Sequence, residues 1–235
     1  MTTQQQAAAK TRETAKPRGG AYFVTFANQK GGAGKTTAAA ALCAAAGKAH
    51  SRALAVDTDP QGTLEDIATA AGPAVGFDFD SNRDPATLGR LRRVAGLYEL
   101  VIIDTAGNLD STLESVLAVT DLLIIPCVPE RAYIKPTMAT AQFAAERGVP
   151  YRILINMADP VRREGPVDSL RKMFANAGQP VLESRIRRYV AWPQSQLDGV
   201  MITDYKGDRS WRNASDDLRD VYAEIMSELL RMARS

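Results

Sequence analysis

Histidine is nearly absent from this sequence of 235 residues, and cysteine is almost as scarce. The lone His50 follows a helical stretch and is read as having no part in chemistry. Cys43 falls in an alanine-rich helix and Cys127 in an apolar strand, so both read as small packed residues, which excludes a disulfide or a cysteine metal site. No apolar run approaches the ~20 residues that span a bilayer. The opening MTTQQQAAAKTRETAKPRGG has no apolar core, which excludes a secretory signal and leaves a cytoplasmic protein as the expectation. Charge of one sign is lacking too. Lys and Arg number 29 against 27 Asp and Glu, a net +2 that does not by itself indicate nucleic acid.

The distribution of charge says more than its sum. Lys10, Arg12, Lys16 and Arg18 crowd the first twenty residues against Glu13 alone. Pro17, Gly19 and Gly20 close that segment, so residues 1–20 are expected to form a disordered basic arm and residues 21–235 one domain. Arg185, Arg187 and Arg188 cluster late in the chain, and Lys206, Arg209 and Arg212 follow. Such runs fit solvated faces, or a surface for a polyanion.

Past the arm, strand and helix patterns alternate. Strands are expected at 21–28, 53–57, 74–80, 99–104, 122–128 and 151–157. Helices are expected at about 36–48, 62–72, 84–96 and 135–147. Short apolar runs separated by helices predict βαβ crossovers, hence an α/β fold with a single, doubly covered and mostly parallel sheet. In such sheets the ligand sits beyond the carboxyl ends of the strands. A last helix at about 215–232 carries Leu218, Val221, Tyr222, Ile225, Met226, Leu229 and Leu230 on one stripe. Asp217, Asp220, Glu224 and Glu228 lie on its other face. Helices lying on membranes prefer basic polar faces, so this one is expected to dock on the sheet.

The chemistry concentrates in Asn28-Gln29-Lys30-Gly31-Gly32-Ala33-Gly34-Lys35-Thr36-Thr37. Glycines 31, 32 and 34 let the backbone turn so that its N–H groups face anionic oxygens, and the following helix adds its positive end. Lys35 would reach the β- and γ-phosphates of a nucleotide, and the Thr36 hydroxyl would ligate Mg²⁺. Yet Gln29 stands where the standard phosphate loop has its first glycine, and Lys30 adds a second cation. VIIDTAG (101–107) ends an apolar strand in Asp104, the position of a Mg²⁺-holding carboxylate. VDTDPQG (56–62) puts Asp57 and Asp59 past another buried strand. Residues two apart on an extended segment point the same way, so both are expected to face one cavity, one serving the hydrated metal and the other orienting a water. The alternative for each is a strand-ending Asp that caps a turn.

Together these residues resemble the deviant Walker A ATPases of the ParA/MinD family, a P-loop NTPase fold of the SIMIBI type. The resemblance runs from about residue 21 to the end. It rests on Lys30–Thr37 as K-G-G-x-G-K-T-T, on D-x-D-P-Q-G at 57–62, on TDLLIIP (120–126) and on RRYVAWPQSQLDGVMI (187–202). Short ParA- or ParF-type partition ATPases are the nearest likeness. The resemblance implies ATP with Mg²⁺ bound by residues 30–37 and sandwiched between two subunits, with Lys30 reaching the partner's nucleotide. It makes Lys30, Lys35 and Asp59 the catalytic set and Thr36, Asp57 and Asp104 the metal set. Asn156 is implied as an adenine contact, or else is a structural strand-end residue. The implied function is ATP-switched, non-specific DNA binding in plasmid or chromosome partition, with hydrolysis stimulated by a ParB-like or centromere-binding partner and no membrane. Arg187, Arg188, Lys206, Arg209 and Arg212 are the candidate DNA contacts, placed in the nucleoid. Variants on the same switch are the positioning of protein cargos such as chemotaxis arrays or carboxysomes, and MinD-like membrane cycling. YKGDRSW (205–211) departs from the family's usual Y-D-P-x-S.

Overall fold

The computed structural model describes residues 20–82, 84–88, 91–108, 111–161 and 165–234. The basic arm expected at 1–20 lies outside them, Gly20 excepted. Strands β1 (Tyr22–Phe26), β2 (Ala53–Asp57), β3 (Asp78–Ser81), β4 (Leu100–Asp104), β5 (Leu122–Cys127), β6 (Tyr151–Ala158) and β7 (Val181–Arg187) form one sheet in the order β3-β2-β4-β1-β5-β6-β7. Every pairing is parallel.

The helices are α1 (Lys35–Lys48), α2 (Thr63–Ala71), α3 (Pro85–Leu88), α4 (Leu91–Val94), α5 (Ser111–Leu117), α6 (Arg131–Ala145), α7 (Pro166–Asn176), α8 (Ala191–Leu197) and α9 (Trp211–Met232). Alternate residues of the central strands feed opposite layers. Tyr22, Val24 and Phe26 of β1, with Leu122 and Ile124 of β5, pack with α1 and α9. Leu123, Ile125 and Cys127 of β5 pack on the other side with α6 and α7. Phe23, Val101 and Ile103 join the layer beneath α3 and α4. This two-sided burial is why β1, β2, β4 and β5 read as unbroken apolar runs. Helix α1 is buried nearly all round, and its alanines let it lie close against the sheet.

Several expectations need correction. The strand expected at 74–80 begins only at Asp78, because Gly72–Val75 forms a 3₁₀ turn around Pro73 and Gly76 has a positive φ of 81°. Of the helix expected at 84–96, the described residues are helical at Pro85–Leu88 and Leu91–Val94 and end in a 3₁₀ turn at Ala95–Leu97. Helices α5, α7 and α8 and strand β7 were not anticipated. Edge strand β7 is buried on one face only, so it lacks the continuous apolar run that marks the central strands. Helix α9 docks as expected, through Leu218, Val221, Ile225 and Leu229. Its acids are not merely solvated, however. The Glu224 carboxylate accepts from the backbone N–H groups of Glu183 and Ser184, 2.8 Å each, and so covers part of the β7 edge. Glu228 pairs with Arg152, and Asp217 with Arg187.

Candidate nucleotide site

The central position of β1 puts its exit loop between the exits of β4 and β5. Asp57, Phe26 and Asp104 stand in register at the carboxyl ends of β2, β1 and β4. Hydroxyls tie these exits together: Thr58 Oγ1 donates to the Asp104 carbonyl at 2.7 Å and Thr105 Oγ1 to the Phe26 carbonyl at 2.8 Å. The sheet therefore fixes the spacing of the three loops before any ligand arrives.

The loop itself turns at Gly32 and Gly34, whose φ values of 75° and 80° a side chain would strain. A Cβ on Gly34 would also lie 2.4 Å from the Asn156 amide nitrogen. Gly34 caps the N-terminus of α1, and Lys35 and Thr36 occupy its first turn. Lys35 is buried whereas Lys30 is exposed, and no ion pair among the described residues engages the Lys30 ammonium. Gly31 and Gly32 are exposed and Ala33 is buried, while Thr36 and Thr37 are half-buried.

The carboxylates divide the work unequally. Asp57 is fully buried and acts first as a cap. Its Oδ1 accepts from the Asp59 N–H at 2.9 Å, and its Oδ2 from the Leu64 and Glu65 N–H groups in the first turn of α2. Asp59 is half-buried and lies beyond the strand, its Oδ1 accepting from the Gln61 N–H at 2.9 Å. The expected extended segment carrying both acids thus ends at Asp57, and the turn reading holds for these contacts. Asp104 differs from both. It is completely buried and neither carboxylate oxygen accepts a hydrogen bond. Burial pushes its pKa from the ordinary 3.8 up to about 7. The Thr36 hydroxyl, near enough to favour the charged form without hydrogen-bond geometry, pulls it down, as does Lys35, while Asp57 and Asp59 push it up.

A bare buried carboxylate beside a lysine and a threonine hydroxyl is a fit site for a hydrated divalent cation. Among the described residues no cluster of three or more His, Cys, Asp or Glu side chains could hold a metal unaided. Mg²⁺ takes one or two protein ligands and completes its shell from phosphates and water.

A pocket of about 270 Å³ opens beside the loop, walled by Thr37, Asn156, Ile186, Tyr189, Trp192 and Pro193. Its lining is mainly apolar, as a base-binding pocket requires. Asn156 is at its edge but is also tied down. Its Nδ2 donates to the Ala33 carbonyl at 2.7 Å and its Oδ1 accepts from the Met157 N–H. Tyr189, Trp192 and Gln196 were not singled out from sequence, although they fall within the stretch 187–202; Gln196 donates to Thr37 Oγ1 at 3.1 Å.

The basic candidates separate as well. Arg187 is turned inward, its N–H and Nε reaching the buried Asp217 carboxylate at 2.9 and 3.0 Å. The ion-pair alternative describes these contacts, and the side chain stays 29% exposed. Arg188 is 62% exposed and 3.7 Å from Glu130. Lys206, Arg209 and Arg212 are all exposed, Arg212 lying over the Trp211 ring. Ser210 accepts from the Ala191 N–H, which holds the 205–210 loop against the start of α8.

Comparison with known sequences bears directly on this site. The CobQ/CobB/MinD/ParA nucleotide binding domain (CbiA) matches residues 24–233, nearly the whole chain. The chain belongs to this family. Among relatives of this ParA/MinD family member, the maintenance of carboxysome distribution protein A of Gloeobacter kilaueensis is 36% identical over 204 residues, covering 86% of this chain and 93% of that protein. The septum site-determining protein MinD of Pyrococcus horikoshii, solved with Mg-ADP, superposes with a TM-score of 0.70 at 20% identity, covering 89% of this chain and 98% of MinD. A ParA family ATPase of Chlorobium tepidum gives 0.69, also at 20%, covering 88% and 99%. The shared feature is the fold: one parallel sheet with the nucleotide loop at its centre. No helix among the described residues is long and apolar enough to cross a membrane.

Proposed function

We propose that this ParA/MinD-family chain is an ATP-hydrolysing switch that dimerises around ATP, binds DNA without sequence preference and distributes a protein cargo over the nucleoid. The observation that carries the switch is Asp104, a buried acid without a partner next to Lys35 and Thr36. Thr36 and Asp104, with Asp57 behind them, would hold Mg²⁺, which would neutralise phosphate charge once bound. Lys35 and the N–H groups of residues 31–37 bind the phosphates of the chain's own nucleotide. Asp59, partly open to solvent, orients the attacking water. Lys30 leaves the loop exposed and serves the partner's nucleotide as a second cation, in the manner of an arginine finger. Asn156 has one amide hydrogen left for the base. Arg188, Lys206, Arg209 and Arg212 form the DNA surface, and a partner protein on the cargo stimulates hydrolysis.

A protein cargo is preferred because the 36% identical relative carries carboxysome distribution in its name and is matched over 93% of its length. Plasmid partition draws on likeness of fold to a protein so named at 16% identity. Two measurements test the proposal. DNA co-sedimentation should require ATP and fail with ADP or with Lys35→Ala; binding that ignores nucleotide would overturn the switch. In the source cell, deleting the gene should collapse the spacing of a labelled carboxysome or similar assembly and leave plasmid inheritance unchanged. The opposite pattern would restore the partition reading.

A further inference from the structure

The nucleotide loop is held in two halves by different elements. The phosphate-binding half is gripped from the end of β6, where Asn156 donates to the Ala33 carbonyl and Asn156 and Met157 crowd Gly34. The half that carries Lys30 is gripped from α6 on the opposite flank. Tyr133, Thr137 and Thr140 recur at helical spacing, so they share one face of α6. Thr137 Oγ1 accepts from Asn28 Nδ2 at 3.0 Å, and Thr140 Oγ1 accepts from the Gln29 N–H at 3.3 Å. The Tyr133 hydroxyl reaches the Gly32 carbonyl at 3.5 Å. Asn28 is the joint. The same amide nitrogen also donates to the Pro126 carbonyl at 2.7 Å, and its Oδ1 accepts from the Lys30 N–H at 2.9 Å. Asn28, Thr137 and Thr140 are all buried, so water does not compete for these bonds. The Lys30 backbone is thus fastened, through one carboxamide, to α6.

We infer that Thr137 and Thr140 are positioning residues which, through Asn28 and Gln29, set the direction in which Lys30 leaves the loop. Their hydrogen bonds go to Asn28 and Gln29, whereas α6 meets the phosphate-binding half through Tyr133 at the Gly32 carbonyl. The inference rests on the reading of Lys30 as the lysine that serves the partner subunit. Its consequence is a separation that a merely structural role would not produce. Loosening the α6 clamp leaves each subunit able to bind ATP while the ATP-driven dimer fails.

The test uses the full chain with Thr137→Val and Thr140→Val combined, which keeps side-chain shape and removes both hydroxyl acceptors. Thr140→Val alone is carried alongside, because it leaves the Asn28 network whole and keeps the effect readable if the double variant does not fold. Affinity for a fluorescent ATP analogue, dimerisation with ATP by light scattering and thermal melting are measured beside Lys30→Ala. Losing a buried hydrogen-bond partner predicts roughly a tenfold weaker dimer for the double variant, with nucleotide affinity within about threefold of native. Thr137→Ser with Thr140→Ser should restore the dimer. A double variant that dimerises normally while Lys30→Ala does not overturns the inference, as does a fall in nucleotide affinity that matches the loss of dimer. A Lys30→Ala chain that dimerises normally overturns the intersubunit reading itself, and the inference with it.

Discussion

Replacing Asp104 by asparagine should change how stability depends on pH in the nucleotide-free protein. In the folded chain burial holds this carboxyl protonated up to about pH 7, whereas the unfolded chain releases its proton near 3.8. Between those values the folded state binds more protons than the unfolded state, so stability falls as pH rises. At about 1.4 kcal/mol per pH unit, the full penalty above pH 7 is about 4 kcal/mol. About 2 kcal/mol of it accrues between pH 5.5 and 7. An amide of the same shape has no proton to lose. It also brings its own burial cost, but that cost does not vary with pH, so the slope is the quantity to read. Urea unfolding of both proteins in EDTA, from pH 5.5 to 8, should show the difference, variant minus native, growing by about 2 kcal/mol in the variant's favour. Mg²⁺ with ATP should then stabilise the native chain strongly and the variant weakly. A difference that stays flat or shrinks with pH would refute the assignment of Asp104 as a bare buried acid.

Four further outcomes follow. Asn156→Ala removes the donor to the Ala33 carbonyl and should weaken ATP binding by roughly 1–3 kcal/mol, measured by calorimetry; unchanged affinity would show that the phosphate-binding half of the loop holds without it. Asp217→Ala leaves Arg187 unpaired at 29% exposure and should cost about 2–4 kcal/mol in chemical denaturation. Alanine at Lys206, Arg209 and Arg212 should each weaken DNA binding and lower the salt slope by about one, read by fluorescence anisotropy. Arg187→Ala should instead resemble Asp217→Ala, since the two form one pair.

The nucleotide loop, Asp104 and the parallel sheet were legible because each is a local pattern. A glycine-rich turn between a strand and a helix suits phosphate binding, and apolar runs on alternating elements have few ways to be covered on both faces. The edges of the fold were less legible. Strand β7 alternates only weakly, and the 72–76 turn is governed by Pro73 and by a glycine conformation that no apolar count reveals. Arg187 and Arg188 look equivalent in sequence. Only the docking of α9 brings Asp217, thirty residues away, under the first of them.

What the sequence determined by itself is the inventory: two lysines five residues apart around three glycines, acids at two strand ends, and a chain able to bury a central sheet. Those are matters of covalent spacing and side-chain period, which tertiary packing cannot alter. The tertiary structure decided which acid is bare and which is a cap, because burial and backbone partners depend on elements distant in sequence. It also decided how the loop is held. Asn28 and Gln29 meet Thr137 and Thr140 more than a hundred residues later, a contact made only when β1 and β5 pair and α6 packs across them.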